Sequence, residues 1–129
     1  MDQAGDRWAG RGKVRARRID GGGVELAIEG ITTQARYYKP LVYEFFRKEF
    51  QLRPRWGDFS VHIRLEHAGE APRLDLDNLA KALLDALKGH VFFDDVQIAR
   101  LLAERAGAER DRIWLSATPV AQDGVSLGA

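Results

Sequence analysis

The sequence predicts an α+β fold in which two helices pack on a small mixed or antiparallel sheet. Apolar and polar residues alternate at 24–28, 59–65 and 113–117, which is the period of a strand with one buried face. Apolar residues recur at helical spacing in 41–50 and 76–87. Strands and helices that follow one another in this order indicate one layered α+β domain.

The composition is that of a globular protein. The chain has 129 residues, of which 45% are hydrophobic and 30% are charged. It contains no cysteine, which excludes disulfides and thiolate zinc sites and is compatible with the cytoplasmic location that we expect. Neither a signal peptide nor a membrane-spanning stretch is recognisable, so no membrane partner is expected. The net charge of +1 does not predict strong nonspecific binding to nucleic acid.

Residues 1–23 are expected to be a basic, flexible N-terminal extension. Residues 1–12 are polar and contain three glycines, and the run KVRARRI that follows alternates only roughly. This run could pair across the turn at 20–23 with the next strand, as a hairpin, or it could remain a solvated basic arm. The arm is the preferred interpretation. The folded domain is then expected to span 24–120, with 121–129 as a frayed tail.

The segment between the first strand and the first helix carries basic and aromatic side chains in alternation. Arg36 and Lys39 flank Tyr37 and Tyr38, a combination that could contact a phosphate backbone. The tyrosines could equally pack on the sheet with their hydroxyls in water. Pro40 suits the first turn of the helix that follows.

The acidic stretch after the strand at 59–65 is the strongest candidate site. Asp75 and Asp77 are two residues apart, a spacing that in extended backbone directs both side chains to one side. Lys81 lies one turn into the helix that follows, and Asp94 and Asp95 come after its end. Clustered carboxylates require a cation or protons. Because the ligands are oxygens alone, the expected cation is hard, Mg²⁺ or Mn²⁺.

A purely structural interpretation of the same aspartates stays open. Aspartate is favoured at a helix N-terminus, where it caps the first turn, and Asp-Asp is an ordinary turn composition. A calcium loop beginning at Asp75 is excluded, because it would need glycine at Ala80 and glutamate at Ala86. Arg73, just before the carboxylates, could contact a phosphate or simply offset acidic charge.

The run DLDNLAKALLDAL at 75–87, followed by FDDVQI at 93–98, resembles the RusA family of Holliday-junction resolvases. The segment ARYYK at 35–39 is a weaker upstream match to the same family. The resemblance implies a RusA-like fold and three catalytic carboxylates with an assisting lysine, which map to Asp75, Asp77, Asp95 and Lys81. Because the connection before the second acidic pair looks one residue shorter than in the best-known member, Asp94 or Asp95 could be the inward carboxylate.

The resemblance implies a Mg²⁺-dependent endodeoxyribonuclease that resolves four-way DNA junctions by paired symmetric nicks. It also implies a homodimer, branched DNA as the partner, Mn²⁺ as a possible substitute and no small-molecule cofactor. Two alternatives are a junction-binding module that does not cut and a nuclease for flaps or other branched DNA. The expected metal ligands are Asp75, Asp77, Asp94 and Asp95. The expected DNA contacts are Arg36, Lys39, Arg73, Lys81 and Lys88.

The stretch at 96–105 is ambiguous on its own. Its alanine, leucine, glutamate and arginine content favours a helix. The family resemblance favours a strand that pairs with the last one, and a strand is the prediction.

Overall fold

Five strands and two helices form the protein in a computed structural model that describes residues 7–120. The sheet is mixed and the helices pack on it, so the predicted α+β class is confirmed. The elements are β1 (Val14–Ile19), β2 (Gly23–Glu29), α1 (Tyr38–Lys48), β3 (Phe59–His67), α2 (Leu76–Leu87), β4 (Ile98–Gly107) and β5 (Arg112–Pro119).

The sheet places the acidic stretch in a crossover between neighbouring strands. The strand order is β1-β2-β5-β3-β4, and every neighbouring pair is antiparallel except β3 and β4. Parallel neighbours require a long connection that returns the chain to the same end of the sheet. Here α2 supplies that connection, so both acidic pairs lie on the path from β3 to β4.

One hydrophobic core lies between the sheet and the two helices. The alternating apolar residues of β3 are buried, as are the apolar stripes of both helices. The other face of the sheet is polar and carries a hydrogen bond between His62 and Glu104 and an ion pair between Arg112 and Glu66. An antiparallel-rich sheet covered on one face produces this alternation. Within residues 7–120, no helix is long and apolar enough to cross a bilayer.

The preferred interpretation of the basic run as a flexible arm is wrong for residues 14–19. They form β1, which pairs antiparallel with β2 along its whole length. Gly21 and Gly22 lie in the three-residue turn at 20–22 with φ of 85° and 91°, a left-handed conformation that glycine adopts readily and other residues resist. Val14 and Ala16 are buried against the core, so even a rough alternation was enough to define the inward face.

The predicted strand after the second acidic pair is confirmed as β4, but its predicted pairing with the last strand is wrong, because β3 lies between β4 and β5. It lies at the sheet edge, parallel to β3, although its composition favours a helix. Backbone pairing with the neighbouring strand outweighs the weak helix preference of these residues. Residues 1–6 and 121–129 lie outside the described residues, so the flexible lead and the frayed tail stay predictions.

Candidate active site

The carboxylate of Asp75 caps the N-terminus of α2. Asp75 has extended backbone (φ −72°, ψ 119°), and its Oδ1 accepts hydrogen bonds from the N–H groups of Asp77 at 2.8 Å and Asn78 at 3.4 Å. Such caps stabilise a helix by about 1 kcal/mol. The structural interpretation is therefore correct for Asp75. Both hydrogen bonds use one oxygen, so capping by itself occupies half of the carboxylate.

Asp77, Lys81 and Asp95 line the same pocket. Its volume is about 230 Å³, and Asp85 and three apolar side chains complete its lining. Asp77, Lys81 and Asp85 share one face of α2 because they recur every four residues. Asp95 approaches from the turn that precedes β4. Two segments that are distant in the sequence thus bring three of the four expected catalytic residues together.

Two further pockets adjoin this one around the N-terminal half of α2. The first, of about 510 Å³, is lined by Arg36, Lys39, Asp75 and Lys81, among others. The second, of about 580 Å³, is lined by Asp75 and Asp77 together with Arg73 and Arg105. The surface formed by the three pockets is called the carboxylate surface below. Basic side chains therefore border it on two sides.

Gln97 determines the position of the turn that carries Asp95. Its side-chain Oε1 accepts hydrogen bonds from the N–H groups of Phe93 at 2.8 Å and Asp94 at 3.0 Å. Its Nε2 donates to the carbonyl oxygens of Arg55 and Gly57, both at 2.8 Å. Gln97 is buried, and these four bonds use the whole hydrogen-bonding capacity of its amide.

Asp94 and Asp95, the second acidic pair, have different roles. The side chain of Asp94 accepts a hydrogen bond from the N–H of Asp95 at 2.7 Å and caps the 3₁₀ turn at 95–97. Asp95 lines the pocket of Asp77 and Lys81, whereas Asp94 is not among its lining residues. The geometry therefore favours Asp95 as the inward carboxylate.

The predicted cluster of four metal ligands is not assembled as a cage. Within residues 7–120, no group of three or more histidine or carboxylate side chains is close enough to hold a metal ion. Asp77 and Asp95 nevertheless face one pocket. Mg²⁺ is commonly bound through one or two carboxylates, with water and substrate phosphate as its other ligands. These oxygen donors fit a hard cation held in that open manner.

Lys81 lies between acidic side chains, and among the ion pairs of residues 7–120 none joins it to them. In the described part of the chain, Asp85 pairs instead with Lys88, Oδ1 to Nζ, at 3.5 Å. A role for Lys81 as no more than a surface bridge between Asp77 and Asp85 is therefore not supported by the ion pairs of residues 7–120. Lys88, which was expected to contact DNA, lies at the far end of α2 and outside the three pockets.

The two tyrosines of the upstream segment differ in environment. Tyr38 is buried, and its hydroxyl accepts a hydrogen bond from the N–H of Thr32 at 2.8 Å. Burial raises the pKa of the Tyr38 phenol. Tyr37 is partly exposed and its hydroxyl accepts a hydrogen bond from Lys13. Packing by Tyr38 thus holds the segment on which Arg36 and Lys39 reach the carboxylate surface.

Two residues of the site were not singled out from the sequence. Gln97 follows Asp94 at the spacing of a capping box, which is a readable signal. Arg105 carries no such signal, because it reaches the carboxylate surface only after β4 pairs with β3.

Comparison with known proteins supplies the family. The search of curated proteins returned no match. A family model described as endodeoxyribonuclease RusA matches residues 31–116. That range contains α1, β3, α2 and β4 and every residue of the carboxylate surface, whereas β1 and β2 precede it. The match extends over well over half of the chain, and the chain therefore belongs to the RusA family of endodeoxyribonucleases.

Proposed function

We propose that the protein is a Mg²⁺-dependent endonuclease that resolves four-way DNA junctions by paired symmetric nicks. The observation that carries this proposal is the convergence of Asp77, Lys81 and Asp95 on one pocket. Membership of an endodeoxyribonuclease family supports cleavage of DNA strands as the reaction.

The carboxylates hold the cation in this proposal. Asp77 and Asp95 would hold it, and the Asp75 oxygen that capping leaves over would bind one of the water molecules that complete its coordination. Asp94 positions Asp95 through the turn. A bound Mg²⁺ polarises the scissile phosphate and lowers the pKa of an attacking water.

Lys81 acts on the phosphate rather than on a neighbouring carboxylate. Lys81 lines the pocket, and its ammonium group would donate to an oxygen that gains charge as the phosphodiester bond breaks. A fixed positive charge at this place also offsets repulsion between the acidic side chains and the approaching phosphate.

Basic side chains on both sides of the carboxylates would guide the DNA backbone. Arg36 and Lys39 line the pocket on one side, and Arg73 and Arg105 line the pocket on the other. Contacts of this kind position a strand without reading its bases. A backbone that follows both sets of cations passes over the N-terminus of α2, where the helix dipole favours an anion.

Paired nicks require two active sites, and we propose a homodimer with two-fold symmetry. The edge strand β4 exposes Leu101 and Leu102 to 46% and 47%, and the nearby Val96 to 79%. Exposed apolar side chains on an unpaired edge are typical of an association surface. Leu101 also lines the pocket of Asp77 and Asp95, so a second copy on this edge would lie beside the site.

The test is strand cleavage of a labelled four-way junction with Mg²⁺, with EDTA and on a matched linear duplex. We expect symmetric nicks that need metal, are confined to the junction and are lost in Asp77→Asn and Asp95→Asn. Asp94→Asn should retain most of the cleavage, since asparagine still caps the turn. Glu109→Gln, at an exposed carboxylate between β4 and β5, is the matched control.

Tight junction binding without cutting in Mg²⁺ or Mn²⁺ would establish the non-cutting binding module instead. Equal or faster cutting of flaps would favour the nuclease for other branched DNA.

A further inference from the structure

Trp56 and Phe93 form an exposed aromatic stack. Their ring centroids are 4.2 Å apart and their planes differ by 17°. Trp56 is 71% exposed and Phe93 is 41% exposed. Phe93 covers one face of the indole, and so high an exposure means that the opposite face is open to water. A contiguous exposed aromatic patch of this kind is a candidate binding surface.

The stack is held rigidly against the turn that carries Asp95. The N–H of Arg55 donates to the carbonyl of Val91 at 3.1 Å, and Gln97 binds the carbonyls on both sides of Trp56. The same Gln97 amide accepts a hydrogen bond from the N–H of Phe93. One buried side chain thus connects the tryptophan loop, its stacking partner and the candidate catalytic turn. A preorganised aromatic surface loses little entropy when a ligand stacks on it.

The loop that carries Trp56 is strongly basic. Arg53 and Arg55 line a pocket of about 780 Å³ together with Arg18 of β1, and no carboxylate is among its lining residues. Within residues 7–120, none of these three arginines is paired with an acidic side chain. Trp56 and Phe93 are not among the lining residues of this pocket, but an exposed aromatic stack on a loop that also carries unpaired arginines is the combination that binds unpaired nucleotides.

We propose that the Trp56–Phe93 stack is a platform for an unpaired nucleobase of the DNA substrate. The base stacks on the open face of Trp56, and Arg53 of the same loop holds a phosphate of the same strand, whereas the guanidinium of Arg55 lies against Gly22. This inference rests on the proposed function, because strand exchange at a junction interrupts base stacking, and the base pairs at the branch point open more readily than those within a duplex. A second copy of the chain is a poorer occupant, since two-fold symmetry would bring the unpaired arginines of both copies together.

Binding to an uncut junction tests the platform directly. Trp56→Ala and Trp56→Phe are made in the Asp77→Asn background, and fluorescence anisotropy measures the Kd for a labelled junction and for a matched duplex. We expect Trp56→Ala to weaken junction binding about tenfold, since stacking on one base contributes a factor of this size. Trp56→Phe should retain most of the affinity, and duplex binding should not change. Trp8→Ala removes another partly exposed tryptophan, which lies over Arg17, and serves as the control.

Indole fluorescence and sedimentation separate stacking from a subunit contact. With Trp8 and Trp114 both replaced by phenylalanine, Trp56 is the reporter, and the junction should quench it while the duplex does not. Unchanged junction affinity in Trp56→Ala, or an affinity loss that accompanies dissociation into monomers, would overturn the platform. Failure of the wild type to cut in Mg²⁺ would defeat the proposed nuclease alone, because affinity and quenching are measured without cleavage.

Discussion

The side-chain Oε1 of Gln97 accepts a hydrogen bond from the N–H of Asp94 at 3.0 Å, so a buried amide holds the turn that delivers Asp95. The other end of that amide is bound to the loop at 55–57. Removing one partner of a buried hydrogen bond leaves the other unsatisfied, which costs about 1–3 kcal/mol. Gln97 thus joins the stability of the fold to the geometry of the candidate active site.

Replacement of Gln97 tests that connection. Gln97→Met keeps the length and volume of the side chain but loses all four hydrogen bonds, and we expect a loss of about 3 kcal/mol in the free energy of unfolding. Cleavage measured well below the unfolding midpoint should fall in kcat more than in KM, because Asp95 is displaced. Urea denaturation and junction cleavage provide the two readouts. Gln51→Met, which removes an exposed hydrogen bond to Arg47, should change neither.

Asp75 can be divided into its two roles by a pair of substitutions. Asparagine caps helices about as well as aspartate, so Asp75→Asn should keep the unfolding free energy within a few tenths of a kcal/mol. Asp75→Ala should lower it by about 1 kcal/mol. If Asp75 also binds the cation, both variants lose cleavage although only one loses stability. Full activity of Asp75→Asn would show that Asp75 is a helix cap and nothing more.

Substitutions at Lys81, within α2, and at Lys88, at its C-terminal end, can be compared directly. Because Lys81 lies in the wall of the pocket and is free of an ion pair with its acidic neighbours, Lys81→Met should leave thermal stability unchanged and slow cleavage by about a hundredfold or more. Lys88→Met breaks the ion pair with Asp85, which contributes only a few tenths of a kcal/mol, and should cut normally. Equal loss of activity in both variants would mean that each contacts DNA, as the sequence first predicted for Lys88.

The buried environment of His90 predicts that the free energy of unfolding falls in acid. Burial lowers its pKa below the ordinary value of 6.5, although Glu44 partly opposes the shift. The ring packs against Tyr43 and Phe46 at centroid distances of 4.5 Å and 5.7 Å. Because the folded state favours the neutral ring, the unfolded chain binds more protons in acid. The contribution is complete above pH 6.5 and is lost as the pH falls through the lowered pKa.

Urea midpoints measured from pH 5 to pH 8 test the sign of this dependence. The wild type should lose stability below about pH 6.5, and His90→Phe should show a flatter profile because the uncharged ring has no proton to gain. His67→Gln, at a half-buried histidine that hydrogen-bonds to the carbonyl of Gly69, is the control variant. A steeper acid slope in His90→Phe than in the wild type would contradict the prediction.

Much of the fold is encoded in local patterns. The alternation in β3 and the leucine stripe of α2 each define an inward face without reference to any other segment. The cap at Asp75 and the end of α2 before Gly89, where φ is 84°, follow from side-chain and backbone preferences of single residues. The acidic motif and its lysine could be recognised for the same reason, since their spacing lies within one segment.

The tertiary structure determined those features that depend on contacts between segments distant in the sequence. Residues 14–19 form a strand because they pair with β2. Residues 98–107 form a strand because they pair with the edge of β3. Backbone pairing of this kind outweighs local composition. Three features of the site also depend on contacts between distant segments. They are the position of Asp95 rather than Asp94 in the pocket, the position of Arg105 at the carboxylate surface, and the stack of Trp56 on Phe93. Sequence spacing determined which chemical groups the protein carries, and non-local packing determined which of them share a pocket.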